Sequence, residues 1–95
     1  MAVAVILEFE NGTMEQYDQV VEKMGFSPGG PGAPGGIFHW VTQTNGGFRV
    51  TDVWESKEIF EQFAESTIGP MAAEAGLESP PKISYAEVHN YLTAG

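Results

Sequence analysis

The chain has no cysteine, and that absence excludes disulfides, thiolate metal sites and thiol catalysis in one step. Basic residues are almost as scarce. Four Lys and Arg stand against thirteen Asp and Glu, and a net charge of -9 repels phosphate backbones and anionic lipid alike. Nucleic acid and membrane surfaces are therefore not expected as partners. The apolar run Ala2 to Phe9 is too short to span a bilayer, lacks a basic lead-in and passes straight into an acidic segment. It reads as a strand, and with no export signal in view the expected location is cytoplasmic. No H-x-H or H-x-x-x-H spacing supports a metal site, and no G-x-S-x-G elbow supports a serine hydrolase. The 95 residues make one domain, 1–95, small enough that oligomerisation would help it bury surface.

What is present centres on Gly36 to Ser56, GIFHWVTQTNGGFRVTDVWES. Two runs rich in β-branched and aromatic residues flank Thr44-Asn45-Gly46-Gly47, and Asn-Gly between such runs is a strong hairpin signal. Counting outward from an Asn45-Gly46 turn puts Thr44 opposite Gly47 and His39 opposite Asp52. Strand residues alternate between faces. One face then carries Ile37, His39, Val41 and Gln43 beside Phe48, Val50, Asp52 and Trp54, and the other Phe38, Trp40 and Thr42 beside Arg49, Thr51 and Val53.

The remaining segments frame this hairpin. Ala2 to Phe9 has the length and Val/Ile content of a central strand, with Val3, Val5, Leu7 and Phe9 suited to a helix-packed side and Ala2, Ala4, Ile6 and Glu8 to a cavity side. After Asn11-Gly12, Thr13 and Gln16 form a T-x-x-Q capping box, and Tyr17, Val20, Val21 and Met24 follow at helical spacing up to Gly25. Tyr17 is most simply a core residue. Phe26 to Gly36, FSPGGPGAPGG, has neither the flanking elements nor the Lys of a phosphate cradle; beside the hairpin it is a candidate lid. Ser56 caps a second helix with an apolar face of Ile59, Phe60 and Phe63, which Gly69-Pro70 is expected to stop. Pro70 then opens a short helix closed by Gly76. Lys82 to Leu92 alternates as a fourth strand, with Ile83, Tyr85, Glu87 and His89 on one face.

The order β-α-β-β-α-β is the α+β, ferredoxin-like split fold with a four-stranded antiparallel sheet. Two helices cover one face of such a sheet. The face with Phe48, Val50, Trp54, Ile37 and Val41 is expected to remain open and to be covered by a second copy.

An apolar first strand, the T-x-x-Q-Y helix, GGFRVTDVWESKEIFEQF and the terminal VHNYL together resemble the small dimeric α+β-barrel proteins related to the antibiotic biosynthesis monooxygenases. The stretch from Asp52 to Phe60, D-V-W-E-S-x-E-x-F, carries most of the likeness. The resemblance implies a homodimer with one ligand cavity per subunit. It also implies kinship with cofactor-free oxygenases of phenolic polyketides, heme-degrading enzymes and small-molecule isomerases. Trp54 looks like the tryptophan that the oxygenases and heme degraders place in the cavity. Heme-degrading members carry an axial histidine on helix two, where this chain has Phe63-Ala64, so their kind of heme binding is not expected.

His39 with Asp52 is the candidate catalytic pair. The carboxylate would hold one ring N–H, fix the tautomer and leave the other nitrogen free to take a proton. Trp54, Phe48, Val50, Val41 and Ile37 would line an apolar cavity for a hydrophobic or aromatic molecule, and His89 and Tyr85 would join them if their face points inward. The expected function is a small enzyme without cofactor or metal, monooxygenase-like, with His39 as base. The rivals are an isomerase or cyclase on the same scaffold and a non-catalytic protein that binds a hydrophobic ligand.

Overall fold

The computed structural model of the chain describes residues 1–77 and 79–92. Its elements run β1 (Val3–Glu10), α1 (Met14–Lys23), β2 (Gly36–Thr44), β3 (Gly47–Trp54), α2 (Lys57–Phe63), α3 (Gly69–Glu74) and β4 (Lys82–Glu87). The strands form one antiparallel sheet in the order β2-β3-β1-β4, which is the ferredoxin-like α+β arrangement the element order predicts.

The local chemistry explains most boundaries. Thr13 Oγ1 accepts from Gln16 N–H at 3.1 Å and Gln16 Oε1 accepts from Thr13 N–H at 3.0 Å, the reciprocal capping box. Gly25 at φ 82° ends α1 in a Schellman motif, with Phe26 N–H on the Val21 carbonyl and Gly25 N–H on that of Glu22. In the β2–β3 turn Gly46 takes φ 102° while Asn45 stays at negative φ, the sign pattern of a type II turn. Thr44 faces Gly47 and His39 faces Asp52, as counting outward from the turn requires. Near its start β2 is bulged between Gly36 and Phe38, so Ile37 drops out of the pairing.

The second helix does not stop at Gly69-Pro70. A π turn over Ala64–Ile68 joins α2 to α3, and Gly69 N–H bonds the Ala64 carbonyl five residues back. Proline has no N–H to offer the next helical bond, and its ring crowds the preceding turn; widening that turn by one residue lets the helix continue past it. The fourth strand is also shorter than its alternation suggests. Val3 pairs with Glu87, and after one further bond from Val88 N–H to the Ala2 carbonyl no partner strand is left, so His89 to Leu92 lie beyond the sheet.

The open face of the sheet is the opposite of the one expected. The β1–β3 register sets Val3, Val5, Leu7 and Phe9 against Trp54, Asp52, Val50 and Phe48, so both apolar sets share one face. That face is the core: it is buried beneath the helices together with Phe60, while Tyr17, Val41 and Phe63 pack at its margin. Full burial of a side chain such as Phe48 or Phe60 contributes roughly 2–3 kcal/mol. The uncovered face carries Ala4, Ile6, Glu8, Arg49, Thr51, Phe38 and Trp40, with Glu8 paired to Arg49 and Trp40 about half exposed.

Candidate functional site

On the covered face, between sheet and helices, lies a cleft of about 880 Å³. Its floor comes from Leu7 and Phe9 of β1 and from Phe48, Val50, Asp52 and Trp54 of β3. One wall is α1 from Tyr17 to Met24, the other the bulged start of β2 through Val41, and Phe63, Ile68 and Ala72 close the far end. Phe26 to Ala33 of the Pro/Gly connection borders it as well, next to the hairpin. That loop is pinned at its far end, where Gly35 accepts from Glu55 N–H and packs on Ile59 at φ 86°, a backbone shape and a spacing that exclude a side chain.

Asp52 is 4% exposed and fully engaged. Trp54 Nε1–H donates to its Oδ2 at 3.0 Å, and His39 Nδ1 lies 2.6 Å from its Oδ1. An ionised carboxylate only accepts, so His39 donates from Nδ1, and in its neutral form the ring presents the lone pair of Nε2. Tyr17 Oη makes a short hydrogen bond to that nitrogen, and the two rings lie nearly parallel with centroids 5.9 Å apart. The phenol therefore donates to His39. Burial, reinforced by the negative charges of Asp52 and Asp18, pushes the Tyr17 phenol up from 10.0 to about 12, so it keeps its proton at neutral pH. The indole of Trp54 is wedged between Phe60 and Phe63, with centroids 5.6 and 5.3 Å away, which fixes its N–H on the carboxylate.

Four side chains from three elements thus form one chain of hydrogen bonds: Trp54, Asp52, His39, Tyr17. Three of them are legible from the hairpin register. Tyr17 is not, because on helical spacing alone it is another apolar-face residue of α1; the sequence signal that finds it is its place one turn after the N-cap Thr13, with a hydroxyl where Val or Leu would serve a core. Tyr17 does pack edge-on against Phe48, so it is both core and site.

Of the other residues singled out from the sequence, Phe48, Val50, Val41 and Ile37 border the cleft. Tyr85 and His89 do not. Tyr85 shares the covered face but lies on the far edge strand, with Phe60 beside it and Lys57 Nζ 4.7 Å from its ring centroid. His89 is exposed beyond the end of β4. Among the described residues no group of three His, Asp or Glu side chains is arranged to hold a metal ion, and no helix is long and apolar enough to cross a membrane.

No protein-family model matches the chain, and no curated protein matches it by sequence. Solved structures do match its fold. A conserved protein from Methanosarcina mazei Go1 superimposes with a TM-score of 0.60 at 17% identity over 90% of this chain and 91% of its own. A Deinococcus radiodurans protein provisionally assigned as an antibiotic biosynthesis monooxygenase gives 0.59 at 15% identity over 100% and 99%. A Streptomyces coelicolor monooxygenase, solved with nanaomycin D bound, gives 0.52 at 21% identity over 99% and 92%. The chain therefore has the ferredoxin-like fold of antibiotic biosynthesis monooxygenase structures along essentially its whole length.

Proposed function

We propose that this protein is a small cofactor-free enzyme that removes a proton from an aromatic molecule held in the cleft, in the manner of a monooxygenase that lets its substrate react with dioxygen. The observation that carries this reading is the unbroken chain from Trp54 through Asp52 and His39 to Tyr17, ending at an 880 Å³ hollow walled by apolar and aromatic side chains. The fold match to a monooxygenase solved with nanaomycin D bound supports the same class.

The geometry gives each residue a part. Asp52 orients His39 and balances the imidazolium that forms. Tyr17 ends the chain of hydrogen bonds and borders the hollow. A substrate O–H or activated C–H that meets its oxygen gives up a proton as the phenolic proton moves to His39 Nε2. The phenol, pushed up to about 12, holds its proton at neutral pH and so serves as a relay to His39. The product is an electron-rich carbanion or phenolate beside an imidazolium. A carbanion of this kind forms a C–O bond to dioxygen, the imidazolium returns its proton to the resulting peroxide, and breaking the O–O bond with loss of water leaves a carbonyl, while Trp54 and Phe48 wall the ring's site. A second copy of the chain belongs to this reading too, covering the sheet face on which Phe38 and Trp40 are 39% and 47% exposed.

The test is oxygen uptake with a hydroxylated anthrone, whose C–H is acidified by the carbonyl across the ring. His39→Ala and Asp52→Asn are each expected to lower kcat about 100-fold or more while melting cooperatively. If both fold and turn over at the native rate, His39 and Asp52 are not the base and its partner; if the native protein itself gives no uptake above the uncatalysed rate, a non-catalytic binding protein for a hydrophobic ligand takes the enzyme's place.

A further inference from the structure

The chain contains only four Lys and Arg side chains, and every one is placed away from the cleft. Lys23 pairs with Glu74 at 3.3 Å, Lys82 with Glu10 at 3.7 Å and Arg49 with Glu8 on the opposite face of the sheet. Lys57 sits over the Tyr85 ring at the far edge. The ionised groups that do border the hollow, among the described residues, are both carboxylates, Asp18 at the mouth and Asp52 in the floor. His39 carries a positive charge only after it has taken a proton, and Asp52 Oδ1 already lies 2.6 Å from its Nδ1. We infer that the cleft selects its ligand by charge, taking an uncharged aromatic molecule and rejecting carboxylates, sulfates and phosphates of the same shape. This deepens, and rests on, the reading of the cleft as a small-molecule site.

Three physical effects point the same way. An anion entering the hollow gives up water and meets no cation in exchange, a loss that apolar contacts must offset. It also approaches Asp18 and Asp52 through a medium less polar than water, where like charges repel more strongly than in bulk. The whole molecule, at -9, adds a repulsive field to its approach. The proposed chemistry favours the same choice. Proton transfer from a neutral substrate creates an anion and an imidazolium together, so the one positive charge in the hollow arises when it is needed and stabilises the transition state more than the ground state. A substrate that is already an anion forfeits that difference. A molecule still carried on coenzyme A or a phosphopantetheine arm would bring phosphates with it. The reaction that supplies this cleft therefore delivers a free, uncharged molecule.

An isosteric pair tests the inference: 3-hydroxy-2-naphthamide, neutral at pH 7, and 3-hydroxy-2-naphthoate, ionised there, each titrated into the full-length protein by calorimetry. The amide is expected to bind at least tenfold more tightly, with the ratio shrinking as salt rises from about 20 mM to about 0.5 M. In Asp18→Lys, a change at an exposed helix position, the naphthoate is expected to gain at least fivefold. Equal binding of the two, tighter binding of the naphthoate, or a ratio that neither salt nor Asp18→Lys alters would overturn the charge rule while leaving the cleft a small-molecule site. Binding of neither would remove the small-molecule reading itself, and the charge rule with it.

Discussion

A single hydroxyl separates Tyr17 as a site residue from Tyr17 as core, and it can be removed alone. In Tyr17→Phe the ring keeps its edge-on contact with Phe48 while His39 Nε2 loses its donor. The expected result is a fall in kcat of about 10- to 100-fold with KM little changed and the melting temperature within a few degrees of native. The same variant has a signature in alkali. Folded Tyr17 titrates at about 12 against 10.0 for the ordinary phenol. Between those values the native state binds more protons than the unfolded one, so the stability it contributes is full below pH 10 and is lost as pH rises through about 12. Absorbance titration should show the highest tyrosinate step missing in Tyr17→Phe, and its alkaline unfolding should be correspondingly less steep. Asp52 shows how much of a site a register can reveal. Once Asn45-Gly46 fixes the turn, His39 and Asp52 have to meet, and the indole two residues on shares their face.

Helices and strands respond to different single changes. Thr13→Ala removes one half of the capping box of α1 and is expected to cost about 1 kcal/mol in a denaturant titration, with no effect on the site beyond fraying. Gly47→Ala is expected to cost more, on the order of 2 kcal/mol or above, because a Cβ there would lie 2.0 Å from the Phe9 carbonyl oxygen and neither backbone can withdraw without breaking the β1–β3 ladder. The π turn over Ala64–Ile68 marks where reading the chain residue by residue fell short. Gly69-Pro70 carries a stop signal, yet packing of Phe63 and Ile68 against the core holds both halves in place, and adding a residue to one turn satisfies proline and packing together. The fourth strand ended early for a related reason: its alternation continues to Leu92, but a strand needs a neighbour and β1 begins at Val3.

Taken whole, the molecule has the radius of gyration of a compact chain, 12.8 Å against roughly 12.4 Å for 95 residues. Its accessible surface of 6324 Å² nonetheless exceeds the roughly 5400 Å² typical of a monomer of this mass. Normal girth with surplus surface fits a body with a hollow on one side of its sheet. A second copy seated on the Phe38 and Trp40 face would cover surface on the other side. Sedimentation at micromolar concentration is expected to give twice the 10.3 kDa chain mass, and Trp40→Lys to give a folded monomer. A native protein that sediments as a monomer at that concentration would contradict the second copy and leave the cleft chemistry intact.

By itself the sequence determined what depends on near neighbours and on counting: the capping box, the hairpin turn, the order of elements and the meeting of His39 with Asp52. It also determined the shortage of cations that leaves the cleft without one. Only the tertiary structure decided which sheet face the helices cover, because that depends on how β1 falls in phase with β3, a pairing across some forty residues that no local pattern encodes. The same long-range packing swings α1 over β2 and brings Tyr17 to the imidazole. Alternation names the two faces of a strand; which one turns inward is settled by the partners that come to lie against it.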